Sequence, residues 1–166
     1  MPLIKLGCSL KMNNRVKIAL LSVSLVGVTA ITQFEGFEST TYLDVGGVPT
    51  IGYGSTKDVH IGDRIDEKGA RRRLISELTQ DYQPSVNNCV KVPLSQNEYD
   101  AYMALVYNIG SGAFCKSTLV KKLNEGNYIE ACNQILRWNR VQGKVVRGLT
   151  NRRIAEHKMC MEGQDA

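Results

Sequence analysis

Glu35, Asp44 and Thr50 are the residues whose types and spacing best suit a chemical task. Glu35 is the first acid in the chain and stands between Phe34 and Gly36-Phe37. A carboxyl held against apolar side chains loses hydration, so its pKa rises and it can serve as a general acid. Asp44 follows nine residues on, beside Gly46-Gly47, in a stretch expected to be polar and open, where a carboxylate stays ionised. Two carboxyls in opposed environments are what glycoside hydrolysis requires. Thr50 lies six residues further on, and its hydroxyl can donate and accept, so it can hold a water against Asp44. On spacing alone the plainer description, a helix-end acid and a turn acid, is the stronger one, because a domain of this size contains many acid pairs.

The elements around these residues read as α+β. From Tyr42 to Ser55 the chain alternates strand formers (Val48, Thr50, Ile51, Tyr53) with glycines that permit turns, enough for a small antiparallel sheet of two or three strands. A helical pattern then opens at Asp66-Glu67 and runs to Tyr82, with a stop expected near Pro84. Ser95-Gln96-Asn97-Glu98 has capping-box spacing and starts an apolar helix through Tyr99, Tyr102, Met103, Val106 and Tyr107, closed at Gly110. Shorter helices follow from Ser117 to Gly126 and from Tyr128 to Trp138, and a last one is expected from Thr150 to Gly163. The expected architecture is a small antiparallel sheet packed beside a helical bundle.

Ahead of Glu35 lies an uncharged run of 17 residues, Ile18 to Phe34, at the short end of what spans a bilayer. Ser22, Ser24, Gly27, Thr29, Thr32 and Gln33 dilute its Leu, Ile and Val. Lys5, Lys11, Arg15 and Lys17 precede it and no charge follows closely, which puts the N-terminus in the cytoplasm and the remainder outside. Three export readings fit: a signal peptide cleaved near Val28-Thr29-Ala30, a permanent anchor, or an uncleaved signal that spans marginally and later leaves; the plainer alternative is a buried core helix, which the flanking charges disfavour. Met12-Asn13-Asn14-Arg15 reads as an ordinary charged start to such a signal. The chain divides into residues 1–34, tail and anchor segment, and residues 35–166, the catalytic domain.

The net charge of +5 comes mostly from that tail, because the body carries 17 basic and 16 acidic residues. A near-neutral body disfavours nucleic acid. Cys89, Cys115, Cys132 and Cys160 lie in the body, with Cys8 left over. No pair has zinc spacing, so no metal or cofactor is expected, and export permits disulfides. Spacing leaves the three possible pairings open. His60 and His157 are lone histidines expected to be structural or solvated. Trp138 is expected in the core.

Phe34-Glu35-Gly36-Phe37, Tyr42-Leu43-Asp44 and Val48-Pro49-Thr50-Ile51-Gly52-Tyr53-Gly54 together resemble the signature of the phage lysozymes, the endolysins of glycoside hydrolase family 24. Tyr107-Asn108-Ile109-Gly110, with Gly112 and Phe114, is similar to that family's central-helix motif. Gly148-Leu149-Thr150-Asn151-Arg152-Arg153, followed by Glu156, is similar to its C-terminal motif. The resemblance covers Phe34 to Gly163. It implies a lysozyme-like fold and hydrolysis of the β-1,4 bond between N-acetylmuramic acid and N-acetylglucosamine in peptidoglycan. It implies Glu35 as the acid, with Asp44 and Thr50 positioning or activating water, an assignment that favours inversion of configuration. Asn108 and Tyr53 are candidate substrate contacts, with Asn108 equally readable as a helix-end amide satisfying backbone, and Arg147, Arg152 and Arg153 are expected to hold the last helix rather than bind glycan.

The weak span abutting Glu35 resembles the signal-anchor-release endolysins, which are exported tethered and inactive. That subgroup implies a protein tethered to the inner membrane through residues 18–34, then periplasmic in a Gram-negative host, acting on glycan strands as a monomer. Within this frame Cys89 is expected to pair with Cys115 and Cys132 with Cys160. The rival readings are a lytic transglycosylase, against which the intact Asp44 and Thr50 argue, and a non-catalytic wall-binding protein.

Overall fold

The computed structural model describes residues 14–164. Expectations that fall on Lys5, Cys8, Lys11 and Met12 lie outside the described residues.

The core is built around one helix, α4 (Gln96–Ile109). Ser95 caps it in a reciprocal box with Glu98, and every residue from Glu98 to Val106 is buried. A helix covered on all sides needs neighbours on all sides. Helix α1 (Leu25–Glu35) packs on one flank and α8 (Arg147–Glu162) on another. Tyr99, Tyr102, Met103, Leu105 and Val106 sit in the middle of this packing. Each such apolar side chain contributes about 1.5–3 kcal/mol by leaving water.

Helix α2 (Glu67–Glu77) starts at Asp66, whose carboxylate accepts from the Gly69 N–H. The expected stop at Pro84 does not occur. A π-helical turn, Leu78–Tyr82, carries the chain into α3 (Gln83–Cys89), where Pro84 occupies the first turn and its missing N–H is no loss. Helices α5 (Ser111–Cys115), α6 (Thr118–Asn124) and α7 (Tyr128–Gln134) complete the bundle. The helix expected as far as Trp138 ends instead in a 3-10 turn, Ile135–Arg137. Disulfides join Cys89 to Cys115 and Cys132 to Cys160, tying α3 to α5 and α7 to α8.

Strands β1 (Glu38–Leu43) and β2 (Pro49–Gly52) form an antiparallel hairpin with Tyr42 opposite Thr50. An isolated bridge between Thr40 and Arg64 brings a third segment alongside. A second hairpin that the hydropathy pattern did not signal, β3 (Arg140–Val141) with β4 (Lys144–Val145), precedes α8. Helix α8 opens at Arg147 rather than Thr150; the Thr150 hydroxyl donates to the Val146 carbonyl inside the first turn.

The run 18–34 is not one continuous helix here, and no described helix is long and apolar enough to cross a membrane. It forms a 3-10 turn (Ile18–Leu20), a short extended stretch, and then α1. Ser24 breaks it: its hydroxyl accepts from Gly27 N–H as the helix cap, and its own N–H donates to Asp100 Oδ1 at 2.8 Å. The 34/35 division falls inside α1, which buries Val28 and Ile31 against the body.

Candidate active site

Glu35 is the last residue of α1, at the edge of the β1–β2 hairpin. Its surroundings are ionic rather than the apolar pocket that Phe34 and Phe37 suggested. Arg152 Nη1 donates to Glu35 Oε1 at 2.7 Å, and the Glu35 side chain remains 21% exposed. Phe34 lies under the Arg152 guanidinium and Phe37 packs on Tyr53, so neither encloses the carboxyl.

The other Glu35 oxygen lies beside Gly54. A Cβ added at Gly54 would stand 3.4 Å from Glu35 Oε2 and 3.7 Å from the Tyr107 hydroxyl. Gly54 has φ +89°, a conformation that L side chains rarely adopt, so the backbone of the shelf under the carboxyl calls for glycine. The Tyr107 hydroxyl donates to the Tyr53 carbonyl at 2.8 Å and fixes that shelf to α4. Burial, followed by the charges of Glu77 and Glu35, pushes the Tyr107 phenol up, so it remains a donor.

Asp44 sits in the turn after β1. Its Oδ1 accepts from the N–H groups of Gly46 and Val48 at 2.8 and 2.9 Å, which orients the carboxylate through the backbone. Thr50 is buried on β2 and donates to the Val48 carbonyl at 3.0 Å. Tyr42, opposite Thr50, has its pKa raised by burial and by the charges of Glu38, Glu35 and Asp44. Glu35 and Asp44 therefore both act on the same tyrosine through their charges.

The expected substrate contacts part ways. Asn108 is exposed at the end of α4, and its Oδ1 accepts from Arg153 Nη2 at 2.8 Å, leaving its amide N–H groups free of that bond. Tyr53 does not present its ring: it is 3% exposed, and its hydroxyl donates to Glu67 at 3.0 Å. Its apolar face is used by the core, and what it lends the site is its carbonyl. Trp138 packs against the core as expected.

Arg152 was expected only to hold the last helix. It does so through Nη2 to the Ala104 carbonyl and Nε to Glu156, and with its remaining arm it holds Glu35. Behind it Arg153 and Glu156 are fully buried and joined at 2.8 Å. Burial pushes Glu156 up against the pull of both arginines, and lowers Arg153 to about 10. The pairing of Arg152 with an acid 117 residues away leaves no trace in local spacing; the doubled arginine with Glu156 one turn on was the available signal.

Residues 32–156 match the phage lysozyme family model. This chain belongs to the phage lysozyme family. It is thus a lysozyme-class glycoside hydrolase with peptidoglycan as its substrate. The SAR-endolysin of Pseudomonas phage phiKMV is 37% identical over 155 residues, which are 91% of this chain and 94% of that one. The endolysin of Bacillus phage B103 is 36% identical over 87% of this chain, which spans only 56% of that protein. Among solved structures, the endolysin from Escherichia coli O157:H7 phage FAHEc1 superposes with a TM-score of 0.77 at 36% identity, over 86% of this chain and 95% of its own. Two forms of the P1 phage endolysin Lyz share the fold at lower identity. The active form gives a TM-score of 0.75 at 20% identity over 88% of each chain. The secreted inactive form gives 0.55 at 17%, over 86% of this chain and 97% of its own.

Proposed function

We propose that this lysozyme cleaves the β-1,4 bond between N-acetylmuramic acid and N-acetylglucosamine, with Glu35 protonating the leaving oxygen. Asp44 and Thr50 position or activate the attacking water. The observation that carries this reading is the pair of Glu35 contacts: one oxygen is clamped by Arg152 and the other lies beside Gly54. A general acid must be held to within a fraction of an ångström of its productive geometry, and this clamp supplies that. Asp44 is oriented by two backbone N–H groups through a single oxygen, so its second oxygen can take a water. Asn108 offers its amide to the glycan. The enzyme acts as a monomer and without a cofactor.

Residues 18–34 first tether the protein to the inner membrane, and release then frees it into the periplasm of a Gram-negative host for lysis. The uncharged run preceded by four cations supports this, as do relatives named SAR-endolysins. In this reading the described fold is the released state, with α1 docked on α4.

The water-activating role is tested by product stereochemistry. Proton NMR of the newly formed reducing end should show inversion, and Asp44→Asn should lower turnover by about 10²-fold or more. Retention of configuration would make Asp44 a nucleophile and remove this assignment.

A further inference from the structure

Two acids on the first turns of α4, Glu98 and Asp100, are 0% and 2% exposed. Neither belongs to the site described above. A buried carboxylate needs a cation or several hydrogen bonds. For both acids the decisive partners come from the segment read as the membrane anchor and from the residues just ahead of it.

Arg15 forks onto Glu98 through Nε at 3.1 Å and Nη2 at 2.7 Å. Among the described residues it is the only cation in an ion pair with Glu98. Its guanidinium also lies 3.7 Å over the Tyr128 ring and donates to Gln164. Next to it, Val16 pairs in two backbone hydrogen bonds with Leu94, at 2.8 and 2.9 Å. The remaining contacts of Glu98 are the Ser95 N–H of the capping box and the Gln164 amide, both neutral.

Asp100 takes the Ser24 N–H at 2.8 Å, the Ser24 hydroxyl, and Gln96 Nε2 at 3.0 Å. Gly27 lies so close that a Cβ there would stand 2.7 Å from Asp100 Oδ1, so a larger residue would have to displace the Asp100 carboxylate or α1. Gln96 also holds the Ser22 carbonyl.

We propose that Glu98 and Asp100 are a two-point receptor that captures residues 15–27 as they leave the bilayer. This rests on the membrane-tether reading given above. While residues 18–34 span the membrane, Arg15 is held on the cytoplasmic side and Ser24 lies in lipid. Glu98 is then across the bilayer from Arg15, and Asp100 is without Ser24. Release carries the Arg15 charge across, closes the buried pair, and seats the N-terminus of α1 on Asp100. An 11-residue helix is a rigid rod of about 16 Å. Fixing one end on Asp100 fixes the other end, Glu35, against Arg152. Two of the residues that weaken the span, Ser24 and Gly27, are ones the receptor recognises, and Arg15, one of the cations that set membrane orientation, completes the fold after release.

The test uses the full chain expressed in Gram-negative cells, with the membrane potential collapsed by an ionophore. The soluble and membrane fractions are then quantified over time. Arg15→Gln is compared with Lys17→Gln, which removes the same orienting charge from an exposed position. The released fraction should fall about tenfold for Arg15→Gln and stay near wild type for Lys17→Gln. Glu98→Gln should behave like Arg15→Gln, and combining the two should add little. Arg15→Gln leaves the body's own residues intact, so misfolding of the Glu98 variant does not obscure the comparison. Equal effects of the Arg15 and Lys17 variants, or no effect of either, would overturn the receptor while leaving the tether standing. A wild-type chain that never enters the membrane fraction would overturn the tether and the receptor with it.

Discussion

Arg152 Nη1 holds Glu35 Oε1 at 2.7 Å, joining α8 to the last residue of α1. The same guanidinium bonds Ala104 on α4 and Glu156 on α8, so one planar fork ties Glu35 to two helices. An ammonium group has no such fork and cannot satisfy three acceptors on different elements.

Arg152→Ala should therefore reduce kcat/KM on cell-wall substrate by about 10²-fold, because it frees the acid from its fixed position. It should also lower stability by about 2–4 kcal/mol, since it removes one cation from the buried Glu156. Arg152→Lys should recover part of the stability and little of the activity. Turbidity assays on permeabilised cells and urea unfolding would measure the two effects. Wild-type kcat/KM in a folded Arg152→Ala protein would show that the clamp does not position Glu35.

The same arginine shows where sequence reading reached and where it stopped. Asp44 in a turn, Thr50 on the facing strand and Glu35 at a helix end were legible, because glycines, strand formers and caps act over a few residues. The capping box at Ser95 was legible for the same reason. Arg152 on Glu35 and Tyr107 on Tyr53 were not, because they join elements 117 and 54 residues apart. Tyr53 was offered as a substrate contact by its place in the motif; its ring packs in the core beside Phe37, a placement set by tertiary contacts. The run 18–34 was read as one hydrophobic unit. Tertiary contacts from Asp100 divide it at Ser24, and hydropathy carries no record of them.

The phenols predict alkaline instability. All seven tyrosines, Tyr42, Tyr53, Tyr82, Tyr99, Tyr102, Tyr107 and Tyr128, have pKa values raised above the ordinary 10.0, with burial the largest cause in each. Unfolded tyrosines lose their protons near the ordinary value, while the native ones keep theirs to higher pH. Above that value the unfolded state binds fewer protons, so stability falls as pH rises. The contribution is fully present below pH 10 and is lost as pH climbs through the native values. Unfolding free energies from urea titrations should hold steady up to about pH 9 and drop by about 1 kcal/mol or more at about pH 11. Phenolate absorbance should rise together with unfolding. A midpoint unchanged at high pH, with phenolate appearing in folded protein, would contradict the buried placement of these rings.

The tether predicts a clean retention variant. Thr29→Leu raises the hydropathy of residues 18–34 at a half-buried position whose side chain caps nothing. Ser24→Leu is a poorer choice, because Ser24 both caps α1 and bonds Asp100, so it alters docking as well as membrane affinity. Thr29→Leu should leave more protein in the membrane fraction and delay lysis, while the detergent-released enzyme keeps its specific activity. Unchanged fractionation and lysis timing would remove the idea that hydroxyls in the span permit escape.

The most direct test of the central claim is mass spectrometry of the fragments that the released, oxidised full chain liberates from purified Gram-negative peptidoglycan, run beside Glu35→Gln. The account predicts muropeptides with ordinary reducing N-acetylmuramic acid ends, absent from the Glu35→Gln sample. Anhydro-muramic ends would make the protein a lytic transglycosylase, and no Glu35-dependent release from folded protein would leave a wall-binding role and contradict the assignment.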